Sequence, residues 1–257
     1  MTALLEVKSL SRAFGGLKAV SDLSFSVLPG EIFGIIGPNG AGKSTAVNLI
    51  SGVIKPTSGS VRFDGLDVTG KSPHDLVGHG LARTFQSTTV FSSCTVTENC
   101  RRGSYLTRYP GFVSAFFGTG RTIPMRADSE RRIDEVLTWL DLARVGGVVA
   151  GDLPYGSQKT LGMAISLMAA PKLLMLDEPV AGLSATEADN VRDTIRKVRN
   201  QGISIVVIDH NMRFMAGLCD RILVLHHGQE LAHGPPQDVL TDPKVIEAYL
   251  GRNYANT

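Results

Sequence analysis

Several things this chain lacks narrow its function before any motif is considered. It has three cysteines, Cys94, Cys100 and Cys219, an odd number with no C-x-x-C pair. Neither a disulfide framework nor a zinc site is expected, and a reducing compartment fits. No apolar run approaches the ~18 residues that a membrane-crossing helix needs, so any membrane role is expected to be peripheral. The first residues, Met1 to Phe14, carry Glu6, Lys8 and Arg12 among apolar neighbours, which is not the pattern of a signal peptide. Net charge is small too. Lys and Arg number 26 against 24 Asp and Glu, a formal +2, whereas phosphate-backbone binding needs a concentrated basic face. Heptads of coiled-coil type are absent as well.

What is present suits one large domain, or a domain with a subdomain, able to bury a sizeable core: 257 residues, 43% hydrophobic and 19% charged. The strongest local signal is the run Gly37, Pro38, Asn39, Gly40, Ala41, Gly42, Lys43, Ser44, Thr45, which matches the phosphate-loop pattern G-x-x-x-x-G-K-[ST]. The apolar run 32–36 before it reads as a buried strand. Ala46, Val47, Leu49 and Ile50 behind it fit one face of a short helix. Glycines allow backbone N–H groups to wrap a triphosphate closely, and a helix N-terminus receives the negative charge. Lys43 is suited to neutralising the β and γ phosphates, and the Ser44 hydroxyl to ligating Mg²⁺.

Along the rest of the chain, residues 4–27 alternate in pieces as half-buried antiparallel strands would, closed by a turn at Pro29 and Gly30. Phe14 lies among them, where its ring could be core or could stack on a base. Gly52 reads as a helix C-cap, residues 55–60 as a turn, and Val61 to Gly65 as a strand with its hairpin. A short strand is expected over 81–85, ending at Gln86, which by itself could be merely a polar residue at a strand end.

From 87 to 151 the apolar periodicity weakens, and 98–132 holds seven Arg against three acidic residues. This reads as an inserted, mostly helical subdomain, with one clear helix over about 129–142 from Ile133, Val136, Leu137 and Leu140. Residues 105–124 resist assignment. Their aromatics could meet a partner, a membrane surface or a small core of their own. The arginines could form a solvated face or meet lipid or a partner loop.

Leu153, Pro154, Tyr155, Gly156, Ser157 and Gln158 lead into a helix expected to reach Ala170. Residues 172–176 form an apolar run ending in Asp177 and Glu178, as a buried parallel strand delivers acids at its carboxyl edge. Ser184 to Glu187 is a capping box opening a helix that Gly202 stops. A further buried strand, 203–208, ends in Asp209 and His210. Closing strands are expected at 222–225 and 230–232, and a last helix from Asp242 and Pro243 to near Leu250.

Three apolar strands thus end in chemistry, at Lys43 and Ser44, at Asp177 and Glu178, and at His210. Together with Gln86, the 153–158 segment and the turn Ala181, Gly182, Leu183, this set resembles the ATPase subunits of ABC transporters over nearly the full length. Within that family the chain is similar to branched-chain amino acid importer subunits. The marks are Phe14-Gly-Gly-Leu17, Arg83-Thr-Phe-Gln86, the Tyr155-Gly156 pair, the helical insertion and the ending Ile246 to Gly251. Importers of urea or short amides, and ABC ATPases without a transport role, are the alternatives.

The resemblance implies an α/β P-loop NTPase fold, with a mixed sheet flanked by helices, an antiparallel β subdomain and an inserted α-helical subdomain. The expected division is a core of 1–86 and 171–257 and a helical subdomain of 87–170. It implies ATP and Mg²⁺ as cofactors, held by 37–45, with Phe14 stacking on adenine and with Ser44, Gln86 and Asp177 at the metal. Glu178 is the implied general base, and His210 contacts the γ-phosphate. The 153–158 signature completes the site of a facing subunit in trans. Two departures stand out: Pro154 replaces the signature serine, removing a hydroxyl and an N–H, and Ser184 sits where Asp or Asn is usual. They suggest a heterodimer with a second ABC ATPase. The other implied partners are two transmembrane permeases and, indirectly, a periplasmic solute-binding protein, with no nucleic acid. The implied place is the cytoplasmic face of a bacterial inner membrane.

Overall fold

A computed structural model describes residues 2–84, 90–104 and 122–250. The N-terminal alternation becomes two antiparallel strands, β1 (Leu5–Phe14) and β2 (Leu17–Val27), with Leu5, Val7, Leu10, Leu23, Phe25 and Val27 turned inward. The apolar run is β3 (Ile32–Ile36), and the helix behind the glycine-rich loop is α1 (Lys43–Ile50). β4 (Ser58–Phe63) and β5 (Leu66–Asp67) complete a four-stranded antiparallel sheet of order β2-β1-β4-β5.

The turn expected over 55–60 is therefore shorter, because Ser58 to Ser60 already belong to β4. The signal was misleading because Gly59 is there for close approach rather than for a turn. Its φ is +88°, and a Cβ on it would fall 2.3 Å from the Ser9 carbonyl oxygen, beside the register shift between Lys8 and Ser11.

Beyond this sheet come α2 (Pro73–His79), β6 (Leu81–Arg83), α3 (Val96–Gly103), α4 (Thr122–Trp139) and α5 (Tyr155–Leu167). β7 (Leu173–Asp177), α6 (Ala185–Asn200), β8 (Ser204–Ile208), α7 (Met212–Ala216), β9 (Arg221–His226) and β10 (Gln229–Gly234) follow, then α8 (Pro236–Leu240) and α9 (Pro243–Leu250). β6 stops at Arg83, and the expected Phe85 and Gln86 lie outside the described residues. So does most of 105–124. The helix expected to end near 142 ends at Trp139: Asp141 takes φ +58° and the Leu142 N–H bonds the Leu137 carbonyl, closing the last turn. Similarly α5 stops at Leu167, short of the expected Ala170, which has φ +49° and precedes Pro171.

The second sheet has six strands in the order β10-β9-β3-β8-β7-β6, all parallel except β10. Its central strands are continuous apolar runs because both faces are covered. Period-2 geometry sends Ile32, Ile36, Leu174, Leu176, Ile205 and Val207 to the core shared with α3 to α7. Their neighbours Phe33, Ile35, Leu173, Met175, Val206 and Ile208 join α1 and the antiparallel sheet in a second core. The parallel sheet is a wall between two cores, and its strand ends are held from both sides. Among the described residues no helix is long and apolar enough to cross a membrane.

Candidate functional site

β3, β8 and β7 are neighbours and run the same way, with Ile35 and Asp177 both paired to Ile208. Whatever follows each strand must therefore emerge at one edge. The glycine-rich loop, Asp209 with His210, and Asp177 with Glu178 come together for this reason.

The loop opens into a cavity of about 340 Å³ lined by Asn39 to Thr45, Glu178, His227, Gly228 and, from β2, Leu17 to Ala19. The N-cap of α1 is Gly42, whose φ is +99°, and the helix has no side-chain cap and no acid in its first turn. A helix N-terminus of this kind, framed by backbone alone, is a receptor for phosphate. Gly37 cannot be replaced cheaply: its φ is +153° and a Cβ would stand 2.3 Å from the Leu225 carbonyl oxygen. Gly37→Ala is expected to destabilise the fold by roughly 1–3 kcal/mol and weaken nucleotide binding at least ~tenfold. Thermal unfolding together with a nucleotide titration checks it. An unchanged melting temperature and affinity would show that the loop tolerates the clash.

Lys43 is buried, and its ammonium donates to the Gly37 carbonyl at 2.6 Å and the Pro38 carbonyl at 3.0 Å. Burial lowers its pKa, and the negative charges of Glu178, Asp209 and Asp177 oppose that shift. All three acids are thus close enough to act on one cation. Asp209 is 1% exposed, and burial raises its pKa against the N–H bonds that its carboxylate accepts from His210 and Asn211. Glu178 has φ +46°, its N–H tied to the Ile208 carbonyl, and its carboxylate lies 3.8 Å from His210 Nδ1. That non-glycine left-handed backbone sits at a site of concentrated charge, where strain is usually found.

Asp177 is 9% exposed and bonded by Arg83 at 2.7 Å. Among the described residues no group of three or more His, Cys, Asp and Glu forms a cage. A Mg²⁺ would fit here all the same, since this cation typically takes one carboxylate, a hydroxyl such as Ser44, waters and the substrate's phosphates.

Phe14 is 47% exposed at the end of β1, with the Arg12 guanidinium 4.7 Å over its ring. It pairs with Leu17, whose side chain does line the cavity. Gln86 lies outside the described residues. The 153–158 segment forms the start of α5 and contributes nothing to the lining of this cavity. Tyr155 is exposed, beside Gly182, and Gln158 bonds back to the Leu153 carbonyl. Two contacts were missed from sequence. Lys159 reaches the Glu178 carbonyl at 3.4 Å, and the Gly228 N–H bonds the Ala41 carbonyl, bracing the loop from the β9–β10 turn. Arg83, which the sequence marks only as part of the 83–86 resemblance, was given no role at the site, although a charge inside a short buried strand is itself a signal.

Comparison with known proteins agrees with this geometry. Residues 20–181 match the family model described as ABC transporter, and 229–255 match that of the branched-chain amino acid ATP-binding cassette transporter. The chain is 35% identical to the high-affinity branched-chain amino acid transport ATP-binding protein BraF of Pseudomonas aeruginosa, over 96% of this chain and 98% of that one. It is 36% identical, with the same coverage, to the corresponding protein LivG of Escherichia coli. Among solved structures, an ATP-binding cassette of an ABC transporter in its ADP conformation superposes with a TM-score of 0.87, 32% identity and coverage of 98% and 100%. A nucleotide-free cassette gives 0.85, 31%, 97% and 100%.

Proposed function

Since the chain belongs to the ATP-binding subunits of ABC transporters, of the branched-chain amino acid type, we propose that it hydrolyses ATP to energise import of branched-chain amino acids. One observation carries this reading: three neighbouring parallel strands deliver the phosphate loop, the Asp177–Glu178 pair and His210 to one edge.

The family resemblance suggests the roles, and the geometry of the described residues supports them. Backbone N–H groups of 39–44 cradle the phosphates, and Lys43 exchanges its two carbonyl acceptors for phosphate oxygens. Phe14, already exposed, offers its ring to adenine. Ser44, Asp177 and, by the family resemblance, Gln86 would hold Mg²⁺, which would supply positive charge to the phosphate oxygens. Glu178 accepts the proton of the attacking water, and His210, within reach of that carboxylate, orients it. Such chemistry is mainly positioning and charge stabilisation.

The 153–158 segment, which does not line its own cavity, serves the site of a second, similar ATPase. Pro154 caps α5 without a side-chain bond, which leaves that partner's site with fewer donors. We place the pair beneath two permease subunits, on the cytoplasmic face of the membrane, fed by a solute-binding protein. Removing the chain from its native cells should abolish high-affinity uptake of labelled leucine, isoleucine and valine, and re-expression should restore it. Undiminished uptake would rule the solute out while leaving the ATPase standing.

A further inference from the structure

β6 is only three residues long, yet it ends in a charge. Leu81 and Ala82 are 2% and 3% exposed, and the Arg83 side chain is 9% exposed. An arginine is seldom this deep unless its donors are used. Here they reach two neighbouring elements. Nη2 donates to Asp177 Oδ2 at 2.7 Å on β7, and Nη1 donates to Asn48 Oδ1 at 2.6 Å and to Ser51 Oγ at 2.9 Å, at the end of α1. Arg83 is opposite Met175 in the ladder, so it reaches forward along the neighbouring strand to the carboxylate.

Two consequences follow. Asp177 Oδ2 is committed to a fixed donor, so the carboxylate has one orientation. α1, which carries Lys43 and Ser44 at its other end, is tied through the same guanidinium to the strand that carries Asp177. We propose that Arg83 is a positioning residue for the metal carboxylate: it supplies the counter-charge of Asp177 before a cation arrives, and fixes its distance from the phosphate-loop helix. The proposal rests on the reading of Asp177 as the Mg²⁺ carboxylate. A planar fork is needed for it, since a lysine could provide the charge but not three directed bonds.

A purely structural arginine would lower stability by the same amount whatever is bound. A counter-ion behaves differently, because a bound cation takes over part of its task. The experiment is thermal unfolding of the full chain with ADP, in excess MgCl₂ and in EDTA, for wild type, Arg83→Gln and Arg83→Lys. In EDTA, Arg83→Gln should melt roughly 8 °C or more below wild type, as expected when one partner of a buried pair is removed. Its gain on adding Mg²⁺ should exceed the wild-type gain by about 3 °C or more. Arg83→Lys should return that gain towards the wild-type value while kcat stays at least ~tenfold low with KM for ATP within ~threefold, because charge is restored and orientation is not.

Equal Mg²⁺ gains in wild type and Arg83→Gln would overturn the role of Arg83 and leave the metal reading intact. No Mg²⁺ gain in the wild-type chain would overturn both. Should Arg83→Gln not fold, the double variant Arg83→Gln with Asp177→Asn decides. Removing both charges should yield a folded chain without a Mg²⁺ gain, and a double variant that also fails to fold overturns the counter-charge.

Discussion

Lys43→Ala is expected to lower nucleotide affinity by at least ~100-fold, since a charge-assisted bond contributes on the order of 1.5–3 kcal/mol and in the proposed function this ammonium would serve two phosphates. The structure shows why no neighbour can substitute. Lys43 is the cation on which Glu178, Asp209 and Asp177 all act, and its ammonium is held within the loop by two carbonyls. Without it, a polyanionic ligand would meet Glu178 and Asp209 with no interposed charge, the nearby Arg83 being committed to Asp177. Titration with a fluorescent ATP analogue, with circular dichroism to establish folding, reads the result. An affinity within threefold of wild type would sink the phosphate-loop assignment.

Glu178→Gln is expected to do the opposite: ATP affinity stays within ~threefold, while hydrolysis with the full complement of subunits falls by ~10²–10⁴. Gln keeps the shape and one acceptor but cannot take a proton. The left-handed backbone at this position is set by the bond from its N–H to Ile208 and by the following turn, which the substitution leaves in place. Glu178 also approaches His210, so losing its charge uncouples the two groups suited to orienting water. If turnover survives, the base is elsewhere and Asp209 becomes the first alternative. The same variant reports on assembly. Alone it should remain monomeric in ATP by light scattering, and it should dimerise only with a second ATPase. A tight ATP-bound homodimer would remove the main support for unequal partners.

Much of the fold was legible because its signals are local and strong. Runs at 32–36, 173–176 and 205–208 are apolar throughout, which only doubly covered strands require, and Ser184 with Glu187 caps α6 as the S-x-x-E pattern implies. α2 and α3 were missed although each has a capping box, Ser72 with Asp75 and Thr95 with Glu98. Each is short, seven and eight residues, and its burial is set by contacts distant in sequence. α7 and α8 have five residues each, too few for a period to show.

The site divides in the same way. The residue types at 37–45, 177–178 and 210 were determined by sequence, because phosphate, metal and water each demand particular side chains at particular spacings. Their convergence was decided by the strand order β3-β8-β7, which no local pattern contains. So was the pairing of Arg83 with Asp177, 94 residues apart in the chain. Hydrophobic periodicity specifies which face of an element is buried, but not which element covers it. Only the packed sheet brings a buried arginine to the carboxylate that needs it, and that long-range contact turns a set of motifs into a site.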